Sequence, residues 1–147
     1  MQNDCKKERR NSFRINFNDF LNGKAEILSI NNKKININKF INLEILNISE
    51  GGLKTKTILD FPINIVIILE LSFYLIDIKF KLKGIIKSKN KKGNFYEYGV
   101  QFIDVLESEK QLLVKCLFNY QIKRVRIKDY YDSVEINNSD KDNTWPT

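Results

Sequence analysis

Two arginines four residues apart, Arg10 and Arg14, and a later cluster of Asn47, Ser49, Gly51 and Gly52 carry the most specific chemistry in this chain. A guanidinium is a planar, permanently charged fork that matches paired phosphate oxygens or the O6/N7 edge of guanine. The Asn47 amide both donates and accepts, and the Ser49 hydroxyl can reach a phosphate oxygen or a base. Glycines at 51 and 52 let the backbone turn closely beneath a ligand. Together these residues read as a site for a nucleotide phosphate, with Arg9 beside Arg10 adding positive charge.

Catalysis has little to work with. The chain contains no histidine, which removes the commonest general base and the commonest metal ligand. Cys-x-x-Cys, Gly-x-Gly-x-x-Gly and Walker-type loops are absent as well. Most carboxylates fall on the solvent side of alternating patterns, so no acid and base are paired by design. A binding protein is expected, not an enzyme, with no metal and no cofactor.

The elements that must position these residues read mainly as strands. Phe13, Ile15 and Phe17 alternate with Arg14, Asn16 and Asn18; a turn is expected at Asn22-Gly23, followed by a second extended stretch with Ala25 and Ile27 on one face. Leu43 and Ile45 keep the two-residue period up to Asn47, and Leu53, Thr55 and Thr57 resume it after Gly52, so the cluster sits on a bend between strands. After Asp60-Phe61-Pro62 come Ile65, Ile67, Leu69 and Leu71, and then Ile76, Ile78, Phe80 and Leu82 alternating with charged residues. Lys91-Lys92-Gly93-Asn94 reads as a hairpin turn leading to Tyr96, Tyr98, Val100 and Phe102. Short strands at this spacing point to a closed barrel or a sandwich.

After Val105 the period becomes helical. Ser108 with Gln111 predicts a capping box, Leu112, Leu113, Cys116, Leu117 and Tyr120 form an apolar stripe, and Lys123, Arg124 and Arg126 are expected in the last turn. At 147 residues the chain fits one domain: a basic leader over 1–9, a barrel with its closing helix over 10–126, and an acidic polar tail, partly disordered, over 127–147. The tail holds five acidic groups against two lysines, so the rest is more basic than the net +7 of the whole and suits an anionic partner. Cys5 and Cys116 lie far apart and read as structural thiols. No signal peptide or membrane span is evident, and a reducing, cytoplasmic setting is expected.

Arg10-Asn11-Ser12-Phe13-Arg14, then Asn47-Ile48-Ser49-Glu50-Gly51-Gly52, then Tyr98-Gly99-Val100-Gln101-Phe102 ahead of a helix resemble, in order and separation, the PilZ family. Its pattern is Arg-x-x-x-Arg followed by (Asp/Asn)-x-Ser-x-x-Gly, with a Gly-Val-x-Phe strand before the closing helix. The resemblance covers roughly Arg9 to Arg126. It implies a mainly β fold, a six-stranded antiparallel barrel with a C-terminal helix packed across it. It also implies a bacterial receptor for the second messenger cyclic di-GMP, with Arg9, Arg10, Arg14, Asn47, Ser49, Gly51 and Gly52 as ligand-binding residues and an unidentified effector protein as partner. Two positions depart from the family: Asn47 stands where Asp is commoner, and Gln121-Ile122-Lys123-Arg124 separates a Gln from an Arg that relatives place together.

Since residues 1–10 have no apolar anchor, the leader is expected to order on the barrel mouth only when ligand engages Arg10. Two other readings stay open. A small basic barrel can bind single-stranded nucleic acid on exposed Phe95, Tyr96 or Tyr98, and a PilZ-like adaptor can act through protein contacts alone.

Overall fold

A computed structural model describes residues 13–36 and 38–140, with residues 133–140 as backbone alone. Seven strands and one helix follow in order: β1 (Arg14–Ile30), β2 (Lys33–Lys34), β3 (Ile41–Ser49), β4 (Gly52–Thr57), β5 (Ile67–Leu75), β6 (Ile78–Lys92), β7 (Phe95–Ile103) and α1 (Glu107–Asp140). The strands pair antiparallel in the order β2-β1-β3-β4-β7-β6-β5, and β1 also pairs with β5. That last pairing closes a six-stranded barrel, the alternative to a sandwich that the family resemblance implies. The two-residue β2 is a short flap on β1, reached through Asn31 and Asn32, both in the left-handed region that Asn tolerates.

Closure explains a departure from the sequence reading. No turn forms at Asn22-Gly23; β1 is one 17-residue strand running straight through it. Gly23 pairs with Leu43 of β3 on one side and Phe73 of β5 on the other. A Cβ there would lie 2.7 Å from Ile45 Cδ1, so the glycine serves a close approach inside the barrel. The irregularities of β1 lie on either side of Gly23, between Asn16 and Leu21 against β3 and between Ile27 and Ser29 against β5.

Alternating residues of all six barrel strands fill the interior: Ile15, Ile45, Ile48, Leu71 and Phe73 are at most 2% exposed. Alternation in β6 holds for Phe80 and Leu82, while Ile76 lies in the hairpin turn with Asp77, both at positive φ, and Ile78 is partly exposed. Thr55 is buried with its hydroxyl donating to the Glu44 carbonyl at 2.9 Å, so its polarity costs little.

The helix seats itself on the barrel through Leu113, Cys116 and Leu117, all nearly inaccessible, with Tyr120 half-buried beside them. Leu112, expected in that stripe, faces solvent. Burial pushes the Cys116 thiol pKa up, which suits an inert packing residue. The N-terminal cap also differs from expectation. Leu106 N donates to Glu109 Oε1 at 3.1 Å and Lys110 N to Leu106 O at 3.0 Å, so Leu106 is the cap and Ser108 lies inside the first turn. Because α1 continues to Asp140, Lys123, Arg124 and Arg126 sit in its middle and not in its last turn. No described helix is long and apolar enough to cross a membrane.

Candidate functional site

Register between β1 and β3 builds the centre of the site. Ile15 and Ile48 face each other and point inward, 1% and 0% exposed. On either side of them Arg14 stands opposite Ser49 and Asn16 opposite Asn47. Strand alternation therefore sends Arg14, Asn16, Asn47 and Ser49 to the outer face. A slip of one residue would turn them inward and bring isoleucines out, so the burial of Ile15 and Ile48 also fixes the aim of Arg14.

An open pocket of 280 Å³ lies on this outer face, lined by Arg14, Asn47, Ser49, Gly51 and Gly52 together with Lys54, Lys87, Gly99 and Gln101. Two strand irregularities border it. Leu46 is the extra residue where β3 shifts against β4, just before Asn47, and Lys87 is the extra residue where β6 shifts against β7. Bulges of this kind re-aim neighbouring side chains, and here they frame a concave surface on an otherwise convex barrel.

The glycines divide their roles. A Cβ on Gly52 would lie 2.1 Å from the Val100 carbonyl oxygen, so only glycine lets β4 start this close to β7. Its φ is not in the left-handed region, so close approach, and not an unusual dihedral, is the reason for glycine. A Cβ on Gly51 would meet nothing within 4 Å; that residue contributes its carbonyl, which accepts from Phe102 N at 2.8 Å. Gly99 lies against the Ser88 side chain of β6, its N–H donating to Ser88 Oγ at 3.1 Å.

Ser49 is more enclosed than a simple surface ligand residue, 9% exposed. Its hydroxyl points across the 49–52 bend to the Gly52 carbonyl at 3.4 Å, longer than the usual O–H···O range of about 2.5–3.0 Å, so the proton is not strongly committed. Arg14, Lys54 and Lys87 are exposed and give the pocket its positive charge. The Lys54 ammonium lies 4.0 Å from Glu97, a loose surface pair.

The helix reaches the same end of β1. Arg124 Nη1 donates to the Asn16 carbonyl at 2.7 Å and Nη2 to Gln121 Oε1 at 3.2 Å. Edge-on ring contacts, Phe13 with Phe118 at 5.6 Å and Phe17 with Tyr120 at 5.4 Å, flank it. Arg124 is thus engaged in holding α1 to the strand that bears Arg14.

Of the residues expected from sequence, Arg14, Asn47, Ser49, Gly51 and Gly52 are brought together in one pocket. Arg9 and Arg10 lie outside the described residues, as do Cys5 and the rest of the leader. Lys54, Lys87 and Gln101 were not anticipated. Lys54 carried a signal, since it alternates with buried Leu53 and Thr55; the bulge that aims Lys87 leaves none.

Apart from Cys116, the described titratable groups with displaced pKa values, Asp60, Lys89 and Tyr98, gather around the 58–66 loop. The Tyr98 hydroxyl donates to the Leu59 carbonyl and accepts from Phe61 N, each at 2.7 Å, and burial pushes its pKa up. Lys89 pairs with Asp60 and donates to the Phe61 carbonyl at 2.8 Å; the pair lowers the carboxyl and raises the ammonium. These bonds pin the loop. Of the three rings that a nucleic-acid surface would use, Tyr98 is 1% exposed, and Tyr96 and Phe95 are half-buried, with the Lys89 ammonium 4.8 Å from the first and the Lys56 ammonium 4.6 Å from the second. No group of three or more potential metal ligands occurs among the described residues.

The fold has solved counterparts. The chain superposes on the Bacillus subtilis inhibitor of motility (MotI/DgrA) with a TM-score of 0.60 at 15% identity, covering 78% of this chain and 52% of that one. Against Escherichia coli YcgR in complex with c-di-GMP the TM-score is 0.64 at 14% identity, covering 84% and 50%. Against the isolated PilZ domain of YcgR with c-di-GMP it is 0.59 at 14% identity, covering 82% and 98%. The chain thus spans about half the length of the first two and nearly all of the isolated domain. No curated protein matches. The family model described as PilZ domain matches residues 8–119, from just before the first arginine to the middle of the closing helix, and the chain belongs to the PilZ domain family.

Proposed function

We propose that this protein is a cyclic di-GMP receptor that acts by binding and not by catalysis. The observation that carries the reading is the register of β1 and β3, which sets the Arg14 fork beside Ser49 and Asn47 over a basic pocket. The ligand presents two phosphates and two guanine O6/N7 edges, the acceptors that forked guanidinium groups fit. Arg14 takes a phosphate or a guanine edge, Asn47 hydrogen-bonds a base, and Ser49 supplies a hydroxyl at the bend. Lys54 and Lys87 add charge along the rim. The family pattern extends the set to Arg10 and Arg9, which reach the ligand from the chain before β1. Two of the three similar structures named above were solved with c-di-GMP, which favours the same ligand.

Engagement of Arg10 draws the residues before β1 onto the pocket and creates a new surface for an effector protein. Binding one ligand at the root of β1 also touches the strand that Arg124 ties to α1, so leader and helix are both positioned to report occupancy. Isothermal titration of the full chain with cyclic di-GMP, with GTP and a short single-stranded oligonucleotide as controls, tests the reading. Saturable heat with cyclic di-GMP alone is expected. Binding of the oligonucleotide in preference to it, or of neither, overturns the assignment.

A further inference from the structure

We propose that the part of α1 beyond the barrel is a self-association element, pairing antiparallel with the same segment of a second copy of this chain. The helix has 34 residues, about 51 Å at ~1.5 Å per residue, and Arg124 is its last residue hydrogen-bonded to the barrel among those described. Every residue from Val125 to Asp132 is exposed, so no face of that stretch is covered.

Composition does not favour carrying the helix on past Arg124: Val125, Ile127, Asp129, Asp132 and the Asn-rich end that follows are weak helix formers. The carboxylates of its second half oppose the helix dipole, and no basic residue stands in the last turn. Apolar groups are present to be covered: Val125 is 46% exposed, Ile127 49% and Tyr131 53%. Ile127 and Tyr131 continue, at helical spacing, the line of Leu113, Leu117 and Tyr120 that already packs on the barrel.

Charge selects the occupant and its direction. Lys123, Arg126 and Lys128 precede Asp129 and Asp132 along the helix, a basic half followed at once by an acidic half. A parallel pair would set like charge against like. An antiparallel pair centred near Asp129 sets the basic half of each copy against the acidic half of the other and opposes the two dipoles as well.

The test is sedimentation equilibrium of the full chain with three variants: Ile127→Asp/Tyr131→Asp, Arg126→Glu/Lys128→Glu, and the latter combined with Asp129→Lys/Asp132→Lys. Wild type is expected to sediment with the mass of two chains at high concentration. The apolar variant and the single charge reversal should sediment as one chain with unchanged melting of the barrel and reduced helix content, and the double reversal should restore the dimer. A wild type monomeric at every accessible concentration overturns the proposal, as does a dimer indifferent to Ile127→Asp/Tyr131→Asp. A dimer indifferent to the single charge reversal overturns the antiparallel direction. None of these readouts uses cyclic di-GMP, so they stand apart from the outcome of the titration.

Discussion

Arg14 and Ser49 are cross-strand partners, one opening β1 and the other closing β3, so two residues 35 apart in sequence meet at the mouth of a pocket. An exposed arginine at the end of a strand contributes little to folding, which leaves its fork for a ligand. Arg14→Ala is expected to weaken cyclic di-GMP by about 2 kcal/mol, the scale of hydrogen bonds to charged groups, with the melting temperature nearly unchanged. Arg14→Lys should recover little. Wild-type affinity in the lysine variant would mean that bulk charge, and not the fork, matters.

Next to it, three substitutions separate chemistry from scaffold. Gly52→Ala drives a methyl group into the Val100 carbonyl and should cost about 2–3 kcal/mol of stability, with binding lost alongside. Gly51→Ala has open space and should melt like wild type. Ser49→Ala should lower affinity with only a small loss of stability, because the hydroxyl bond to Gly52 is long. Thermal melts and titrations on all three decide it, and a large melting shift for Ser49→Ala would make that hydroxyl structural.

Hydrogen exchange checks the readout. Amides from about Lys7 to Phe13 are expected to gain protection on adding cyclic di-GMP, while those between Ser108 and Gln121 change little. Saturating ligand with no added protection before β1 would move the output to α1.

Alkaline pH should loosen the 58–66 loop. Burial holds the Tyr98 phenol protonated above its usual 10.0, so the unfolded chain ionises first. The stability tied to that shift is complete below pH 10 and falls as pH rises toward the higher folded value; Lys89, raised above 10.5 by Asp60, acts in the same direction. Tyr98→Phe leaves Leu59 O and Phe61 N without their partner and should cost about 1–3 kcal/mol at neutral pH. It should also flatten the fall above pH 10. Denaturant midpoints at pH 8 and above 10 supply the comparison.

The β5–β6 hairpin offers a stabilising change. Ile76 holds φ at 51°, a region that β-branched side chains resist, in a two-residue turn with Asp77. Ile76→Asn is expected to raise stability by about 1 kcal/mol, read as a shift in denaturant midpoint with an unchanged slope.

Much of this was legible because it rests on local alternation. The strand faces around Ile15, Leu53, Leu69 and Val100 follow from a two-residue period, while the pairing of the motif halves was implied by the family resemblance. What stayed hidden depends on tertiary contact. Asn22-Gly23 has the composition of a turn, yet Gly23 is extended because two strands crowd it from opposite sides. Lys87 reaches the pocket at a shift in the β6–β7 register between Ile86 and Ser88, which no single stretch of sequence encodes. At the helix start Ser108 has the composition of an N-cap, yet the cap falls two residues earlier, at Leu106, whose N–H donates to the Glu109 carboxylate. Arg9 and Arg10, the other arm of the motif, precede the described residues.

The double pairing of β1 has a kinetic side. Residues 30 and 67 close one end of the β1–β5 ladder and residues 23 and 73 the other, so the seam spans long stretches of chain, whereas β5–β6 and β6–β7 are hairpins. Loop-closure entropy makes such a seam slow to form, and hairpins assemble ahead of it. The β4–β7 pairing, residue 52 with 101 and residue 57 with 96, is equally long-range, so both ladders follow the hairpins. A ligand gripping Arg14 and Ser49 would staple β1 to β3 at the end of β1 away from that seam, a contact made only in the finished barrel, and so would slow unfolding more than it speeds folding.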